Sequence, residues 1–396
     1  MTLPLAGIRI LAVEHYGAGR FGTVHLADLG ADVIKIEDRK AGGDMSRGVG
    51  PHLLGAGDST FYQPYNRNKR SLCLDLKTER GRDVFHRLVA GADAVFNNLR
   101  GSQPAKLGLT YADLAPHNPR IVCGHLSAYG RSGSRADWPG YDYLLQAECG
   151  YIAVTGEPDS PPARMGLSVV DHMTGLTAAL GLLAAIVAAR RDGKGCDVDV
   201  SLYDTAIHQT TYPGAWYLNH ATETTRLPRS AHPSLAPSQL FPTADGWLFV
   251  MCQTQRFWET LCARIGAGGL ASDPRFATPA VRRDNRAALT EALDSIFRRR
   301  TTADWMAALA GAVPAAPVLT LGQALDNEFL RERGGVQSMP HPDAGDLRLL
   351  TDPIRIDGQA LPSRAAPKLG ADSDVILAEA GFTNAEIAAL KRDGVV

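Results

Sequence analysis

Two acidic side chains carry the chemistry this chain offers most directly. Asp171 closes the run Arg164-Met165-Gly166-Leu167-Ser168-Val169-Val170-Asp171, between an extended apolar stretch and a long segment rich in alanine and leucine. Aspartate at such a junction is a preferred helix cap, its carboxylate taking backbone N–H bonds from the next turn. A second use is open to it: at the positive end of a buried helix a carboxylate stays ionised and can attack an electrophilic carbonyl. Asp142, in Pro139-Gly140-Tyr141-Asp142, brings a second carboxylate and an aromatic ring in a turn. The eleven histidines are scattered, and His172, next to Asp171, reads as a core or surface residue. G-x-S-x-G, H-E-x-x-H and the Walker A pattern are absent.

The second cluster is built on backbone. Gly17, Gly19 and Gly22 spell G-x-G-x-x-G between an apolar run and a helix-like segment, with Glu37 twenty residues after Gly17. Three readings stand. A nicotinamide dinucleotide would take its phosphates on the glycines and its ribose on Glu37, making the chain an NAD-dependent oxidoreductase. Another anionic ligand could use the same N–H groups at a helix N-terminus. A tight structural turn needs no ligand. Basic residues gather in this half: Asn66-Arg67-Asn68-Lys69-Arg70, then Lys77, Arg100, Lys106, Arg131 and Arg135. They form either a solvated surface or a local rim for a phosphate-bearing cofactor.

These residues need a scaffold, and the pattern supplies one. Ile8–Val13, Ala31–Ile36, Ser71–Leu76, Ala94–Phe96, Ile121–Leu126 and Asp197–Leu202 read as strands. Phe21–Leu29, Thr78–Ala90 and Asp171–Arg191 read as helices between them. Alternating strands and helices predict an α/β fold with a doubly wound parallel sheet. Asp245-Gly246 between apolar runs predicts a hairpin within Ser238–Cys252. Helices at Arg256–Ile265, Arg286–Arg298 and Ala303–Leu309 complete a smaller α+β domain.

At 396 residues the chain is long enough for two to three domains. Its 41 basic and 42 acidic residues give a net charge of −1, which argues against gripping a nucleic acid. Six cysteines without a C-x-x-C pair suggest a reduced, cytoplasmic setting and no metal site. No signal-peptide order is seen at the N-terminus. The longest apolar stretch, Leu176–Ala189, is about fourteen residues, short of a bilayer span. No membrane partner is expected.

Taken in order, these segments resemble the class III CoA-transferases, the formyl-CoA transferase and carnitine CoA-transferase group related to alpha-methylacyl-CoA racemase. The resemblance rests on Leu26–Glu37 (LADLGADVIKIE), Gly42–Arg47 (GGDMSR), Asn66–Thr78 (NRNKRSLCLDLKT), PGYD with Gln146, Thr155–Gly166 (TGEPDSPPARMG) followed by Asp171, His232–Pro237 (HPSLAP), Asp245–Trp247 and the closing AEIAALKRDGVV. It implies coenzyme A, carried as an acyl-CoA donor, and a carboxylic acid acceptor, with neither metal nor nicotinamide. It makes Asp171 the nucleophile and Asp142 the residue that orients it. It assigns CoA contacts to Gly17, Ala18, Arg39, Leu74, Lys77, Asn98, Leu99, Arg100, Lys106 and Tyr141. It further implies a Rossmann-like large domain (1–218, completed by 330–396), a linker at 219–237, a small domain at 238–329 and an interlocked homodimer. Three departures stand out. Position 17 is Gly where some relatives have Gln, and position 20 is Arg where Pro is common. Tyr141 replaces the histidine of the racemase branch, which removes a proton-transfer base.

Overall fold

A computed structural model describes residues 2–396. Six parallel strands make the central sheet: β1 (Arg9–Val13), β2 (Asp32–Glu37), β3 (Arg70–Cys73), β4 (Ala94–Asn97), β5 (Val122–Ser127) and β6 (Asp197–Ser201). Their order across the sheet is β3-β2-β1-β4-β5-β6. Ile10 therefore sits between Val33 on one side and Ala94 on the other. The chain leaves β1 in one direction and returns for β4 on its other flank. That reversal opens a crevice at the carboxyl ends of the two strands, where ligands of such sheets bind.

Side-chain alternation gives the sheet two covered faces. Leu11, Ile34, Leu72, Val95 and Cys123 point into one apolar cluster with Val84, Phe85 and Leu88 of the helix Glu79–Val89. The C-terminal helices Ser373–Glu379 and Asn384–Arg392 close that cluster through Ile376, Leu377, Ile387 and Leu390. The tail is tied down further where Ser71 N donates to Asp372 (2.8 Å) and Arg70 pairs with Glu379 (2.9 Å). The opposite face is covered by α1 (Ala18–Asp28) and α2 (Val169–Asp192).

Helix α1 starts three residues before its expected first residue, Phe21, because Gly19 belongs to it. A Cβ at Gly22 would run into the backbone carbonyl of Gly175 in α2, and one at Gly175 would meet Ala18 O. The two glycines let the helices touch backbone to backbone. Helix α2 ends where Gly193 takes φ 72° and donates to Ala189 O, with Arg190 and Arg191 in the last turn. It has 24 residues, extending the expected Asp171–Arg191 at both ends, and is apolar along most of its length. By length and composition alone it could cross a membrane. Its inner face, with Val170, Thr174, Ala178, Leu182 and Ile186, is buried in this unit. Leu176, Leu180 and Val187 form an exposed apolar stripe along it.

Glu37 shows why the C-terminal end of β2 is rigid. It is fully buried and accepts from Arg47 Nε (2.9 Å) and Nη2 (2.7 Å), Ser71 Oγ (2.6 Å) and Asp44 N (3.1 Å). Burial pushes its carboxyl up, but Arg47 and Lys35 hold it below the usual glutamate range. Glu37→Ala strands Arg47 in the core and is expected to cost about 3–5 kcal/mol, measurable by urea denaturation.

The contacts divide the chain into two compact units. The first holds the stretch up to Cys149, then Gly166–Thr210 and Glu328–Val396; the second holds Gly150–Met165 and Thr211–Asn327. Residues 150–165 and 211–218, expected in the large domain, group with the second unit, as does the expected linker at 219–237. Within that unit Glu157 accepts from Arg229 N and its carbonyl from Arg226, so these segments are bonded to one another. Its hairpin, Ser238–Pro242 with Trp247–Met251, turns at Asp245-Gly246 as expected and gains a third strand, Ala315–Pro317. Phe241, Val250, Trp258, Phe276, Phe297 and Trp305 form its core. In the first unit an unexpected hairpin pairs Val336–His341 with Gly345–Leu350.

Candidate active site

Three loops leave the carboxyl ends of β1, β4 and β5 and converge. The first is pinned to the second by Asn98: His15 N donates to Asn98 Oδ1 (2.8 Å), and Asn98 Nδ2 donates to His15 O (2.6 Å). Gly19 permits this, since a Cβ there would lie 3.0 Å from Asn98 Cβ. Between the loops lies a cavity of about 220 Å³. Its walls include Gly17 and Ala18 at the start of α1, Asn98, Leu99 and Arg100 after β4, Tyr141, and Asp171. Seven of the twelve residues expected in the site therefore share one cavity. Met45, Ser127 and Trp138 also line it and were not foreseen. Only the short segments around Met45 and Trp138 had drawn notice, and nothing in their spacing marks them as a wall.

Asp171 is not a cap. The N-cap of α2 is Ser168, and Asp171 sits in the helix's first turn. Its own backbone N–H donates to Asp142 Oδ2 (2.9 Å), while Gln146 Nε2 holds Asp142 Oδ1 (2.6 Å). Asp142 is buried and thus a fixed strut behind the nucleophile candidate. The Asp171 carboxylate itself makes no hydrogen bond or ion pair among the described residues. It lies against Gly17, filling the space a Cβ would need there. The N-terminus of α1, with its unsatisfied N–H groups, begins at that same point.

Burial pushes the Asp171 carboxyl up to about 7, the negative charge of Asp142 adds to the rise, and Arg20 opposes it. Asp142→Asn removes the like charge. The Asp171 carboxyl then becomes more acidic, and any rate that needs it ionised extends to lower pH. The acid limb of kcat/KM is expected to move down by about one unit, and an unmoved limb would count against this electrostatic coupling.

Four expected contacts lie outside the cavity. Arg39 is exposed just after β2, and Lys77 pairs with Asp38 (3.1 Å) near the end of β3. Both occupy the same carboxyl edge of the sheet. Lys106 lines a separate groove with Ser102, Gly130 and Arg131. Leu74 buries its side chain in the apolar cluster beneath β3 and donates its N–H to Glu37 O (2.9 Å). A side-chain contact from Leu74 to a ligand is thereby excluded, because those atoms are the core.

The nicotinamide reading fails on the same geometry. The ribose contact would have to come from Glu37, whose two oxygens are already held by Arg47, Ser71 and Asp44 N. Gly19 and Gly22 are spent on packing against Asn98 and Gly175.

Comparison with known proteins identifies the family. The family model described as CoA-transferase family III matches residues 5–373. A succinate–glutarate CoA-transferase of Agrobacterium fabrum is 33% identical over 383 residues, 95% of each chain. An acetyl-CoA:oxalate CoA-transferase of Acetobacter aceti is 34% identical over 92% of this chain and 93% of its own. Among solved structures, a CaiB/BaiF family protein from Brucella suis superposes with a TM-score of 0.82 at 32% identity, covering 96% of this chain and all of its own. The parallel α/β sheet and these full-length matches lead to one conclusion: the chain belongs to CoA-transferase family III.

Proposed function

We propose that the chain transfers CoA from an acyl-CoA to a free carboxylic acid through covalent intermediates on Asp171. The observation that carries this is a carboxylate with no partner of its own, set in a cavity against the N-terminus of α1. An Asp171 oxygen attacks the thioester carbonyl, and the C–S bond breaks. The products are an acyl-aspartyl anhydride and CoA thiolate. The thiolate attacks the aspartyl carbon and releases the donor acid as its carboxylate, leaving an aspartyl-CoA thioester. The acceptor carboxylate attacks that thioester and expels the thiolate, forming a second anhydride. The thiolate then takes the acceptor's acyl carbon and frees Asp171. No ATP is needed, because each step exchanges one activated acyl group for another. The N–H groups at the start of α1 would steady the developing oxyanions.

Arg39, Lys77, Arg100 and Lys106 would face the CoA phosphates along the carboxyl edge of the sheet. The relatives' names favour short dicarboxylic acids such as succinate and glutarate as substrates, in transfer between two acids or between the two carboxyls of one. We place this chemistry in an interlocked homodimer. The exposed stripe Leu176, Leu180 and Val187, and the helix Thr211–His220, which buries none of its residues, are surfaces a second copy would cover. The test mixes succinyl-CoA with ¹³C-glutarate, without ATP, and reads products by mass spectrometry. Label entering a thioester, with hydroxylamine trapping a hydroxamate at Asp171 during turnover, is the expected result. Label transfer with no modification at Asp171 would remove the covalent assignment.

A further inference from the structure

The structure gives Arg20 an unusual position. It lies in the first turn of α1, three residues after Gly17, and is fully buried. Its Nε donates to Tyr16 O and its Nη1 to Ser46 Oγ. Asp44 Oδ2 lies 3.3 Å from Nη1 and is shared with Lys35 at 3.0 Å. The guanidinium sits under two rings, 5.0 Å from the centroid of Tyr65 and 5.9 Å from that of Phe61. Nη2 has no hydrogen-bond partner among the described residues.

What these contacts hold is the wall of the site. Tyr16 has φ 55°, a left-handed conformation costly for a residue with a Cβ. Its carbonyl is fixed by Arg20, and its N–H leans on Asp44 Oδ1 (3.4 Å). The next residue is Gly17, against which the Asp171 carboxylate lies. On the far side Tyr65 shares a hydrogen bond with His172 Nε2 (3.2 Å), and His172 stacks on Phe21 at 4.2 Å. Arg20 thus touches the turn on one flank of the nucleophile and the ring that bonds its neighbour on the other.

We propose that Arg20 is a positioning residue for the transfer reaction: it clamps the Tyr16–Gly17 turn against Asp171 and supplies the positive charge that faces that carboxylate. The inference rests on Asp171 as the nucleophile. The charged and titratable groups around Asp171 are Arg20 in the first turn of α1, Tyr16 and His15 before it, Arg100 across the cavity after β4, Tyr65 from the short helix Gln63–Asn66, Asp142 and Tyr143 after the Gly140 turn, and His172 on α2, with His25 behind it. His172 is held below its ordinary value by burial, so it brings no fixed charge near neutrality. Asp142 is an anion. The buried cation that offsets it is Arg20.

The experiment measures CoA exchange against pH for the wild type, Arg20→Gln, Arg20→Lys and Asp171→Asn. Each folded protein is also titrated with free CoA. Arg20→Gln should move the acid limb of kcat/KM up by about one unit or more, so that kcat/KM at about pH 6 falls about tenfold. Its CoA affinity should stay within about twofold. Arg20→Lys keeps a buried cation but cannot span Tyr16 O and Ser46 Oγ together. It should lower kcat several-fold while leaving the limb in place. If Arg20→Gln does not fold, Arg20→Lys alone decides the matter, because a limb that moves with the charge retained overturns the proposal. So does a folded Arg20→Gln with wild-type limb and kcat. Asp171→Asn keeps the two ideas apart. Turnover in that variant rejects the nucleophile itself, whereas a dead Asp171→Asn beside an unaltered Arg20→Gln rejects only the role of Arg20.

Discussion

Asp171→Asn is expected to abolish CoA exchange, lowering kcat by at least about a thousandfold, while stabilising the protein at neutral and alkaline pH. The first effect follows from chemistry: an amide cannot form the anhydride, and removing a covalent nucleophile typically leaves only the residual catalysis of binding and oxyanion contacts. The second follows from linkage. The Asp171 carboxyl is raised from 3.8 to about 7 in the folded chain, by burial first and by Asp142 second. A raised acid makes the folded state hold its proton after the unfolded chain has lost one. Wild-type stability therefore falls as pH climbs from about 4 to about 7, and the deficit stays constant above that. Asparagine never ionises. Its advantage should be small at about pH 4, grow toward pH 7 and then level off, as read from denaturation midpoints at several pH values. A difference that is flat across that range would mean the carboxyl is not strained in the fold. The wild-type rate should follow the opposite course, rising with pH toward the same value, because only the ionised carboxylate attacks. Site and stability are then opposed at one residue, as is usual where a group is kept poised for chemistry.

The framework was readable because it is local. Runs such as Ile8–Val13 and Ile121–Leu126 are apolar on both faces, and a strand buried on both faces leaves just that pattern. Gly19 misled at the start of α1, since Gly17 and Gly19 together spell a loop; Gly22 lies inside the expected helix. Only the approach of Gly175 and Asn98, both far away in the sequence, explains why a helix tolerates them. The hairpin at Val336–Leu350 was missed because its buried apolar set is small: Met339 on one strand, and Leu347 and Leu349 alternating with polar residues on the other. Asp171 and Asp142 stood out by their places, one before a long helix and one in a turn. The rest of the wall did not: Ser127 and Trp138 come from the end of β5 and its loop, Met45 from the loop after β2, and they meet only because those loops end at one edge. Leu74 shows the converse error. A segment can follow a family's binding pattern while one of its side chains serves the core.

Gly17→Ala should be the most damaging small substitution in the site. The backbone at Gly17 has φ −75°, so no left-handed turn demands glycine here. Space demands it. A Cβ would fall inside the contact distance of Asp171 Oδ2 and 2.9 Å from its Cγ. The carboxylate is the mobile partner and must swing away. An attacking atom displaced by about 1 Å can cost about a hundredfold in rate. We expect kcat to fall by about that factor with the KM for CoA changed little, since the methyl displaces the nucleophile rather than the ligand. The steric origin is separable by a double-mutant cycle on stability. In the wild-type background the methyl should cost about 1–2 kcal/mol. In an Asp171→Ala background the carboxylate is gone, and the same methyl should cost close to nothing, a coupling well above the few tenths expected of independent sites. If the methyl costs the same in both backgrounds, then Gly17 is required for some reason other than the carboxylate packed against it.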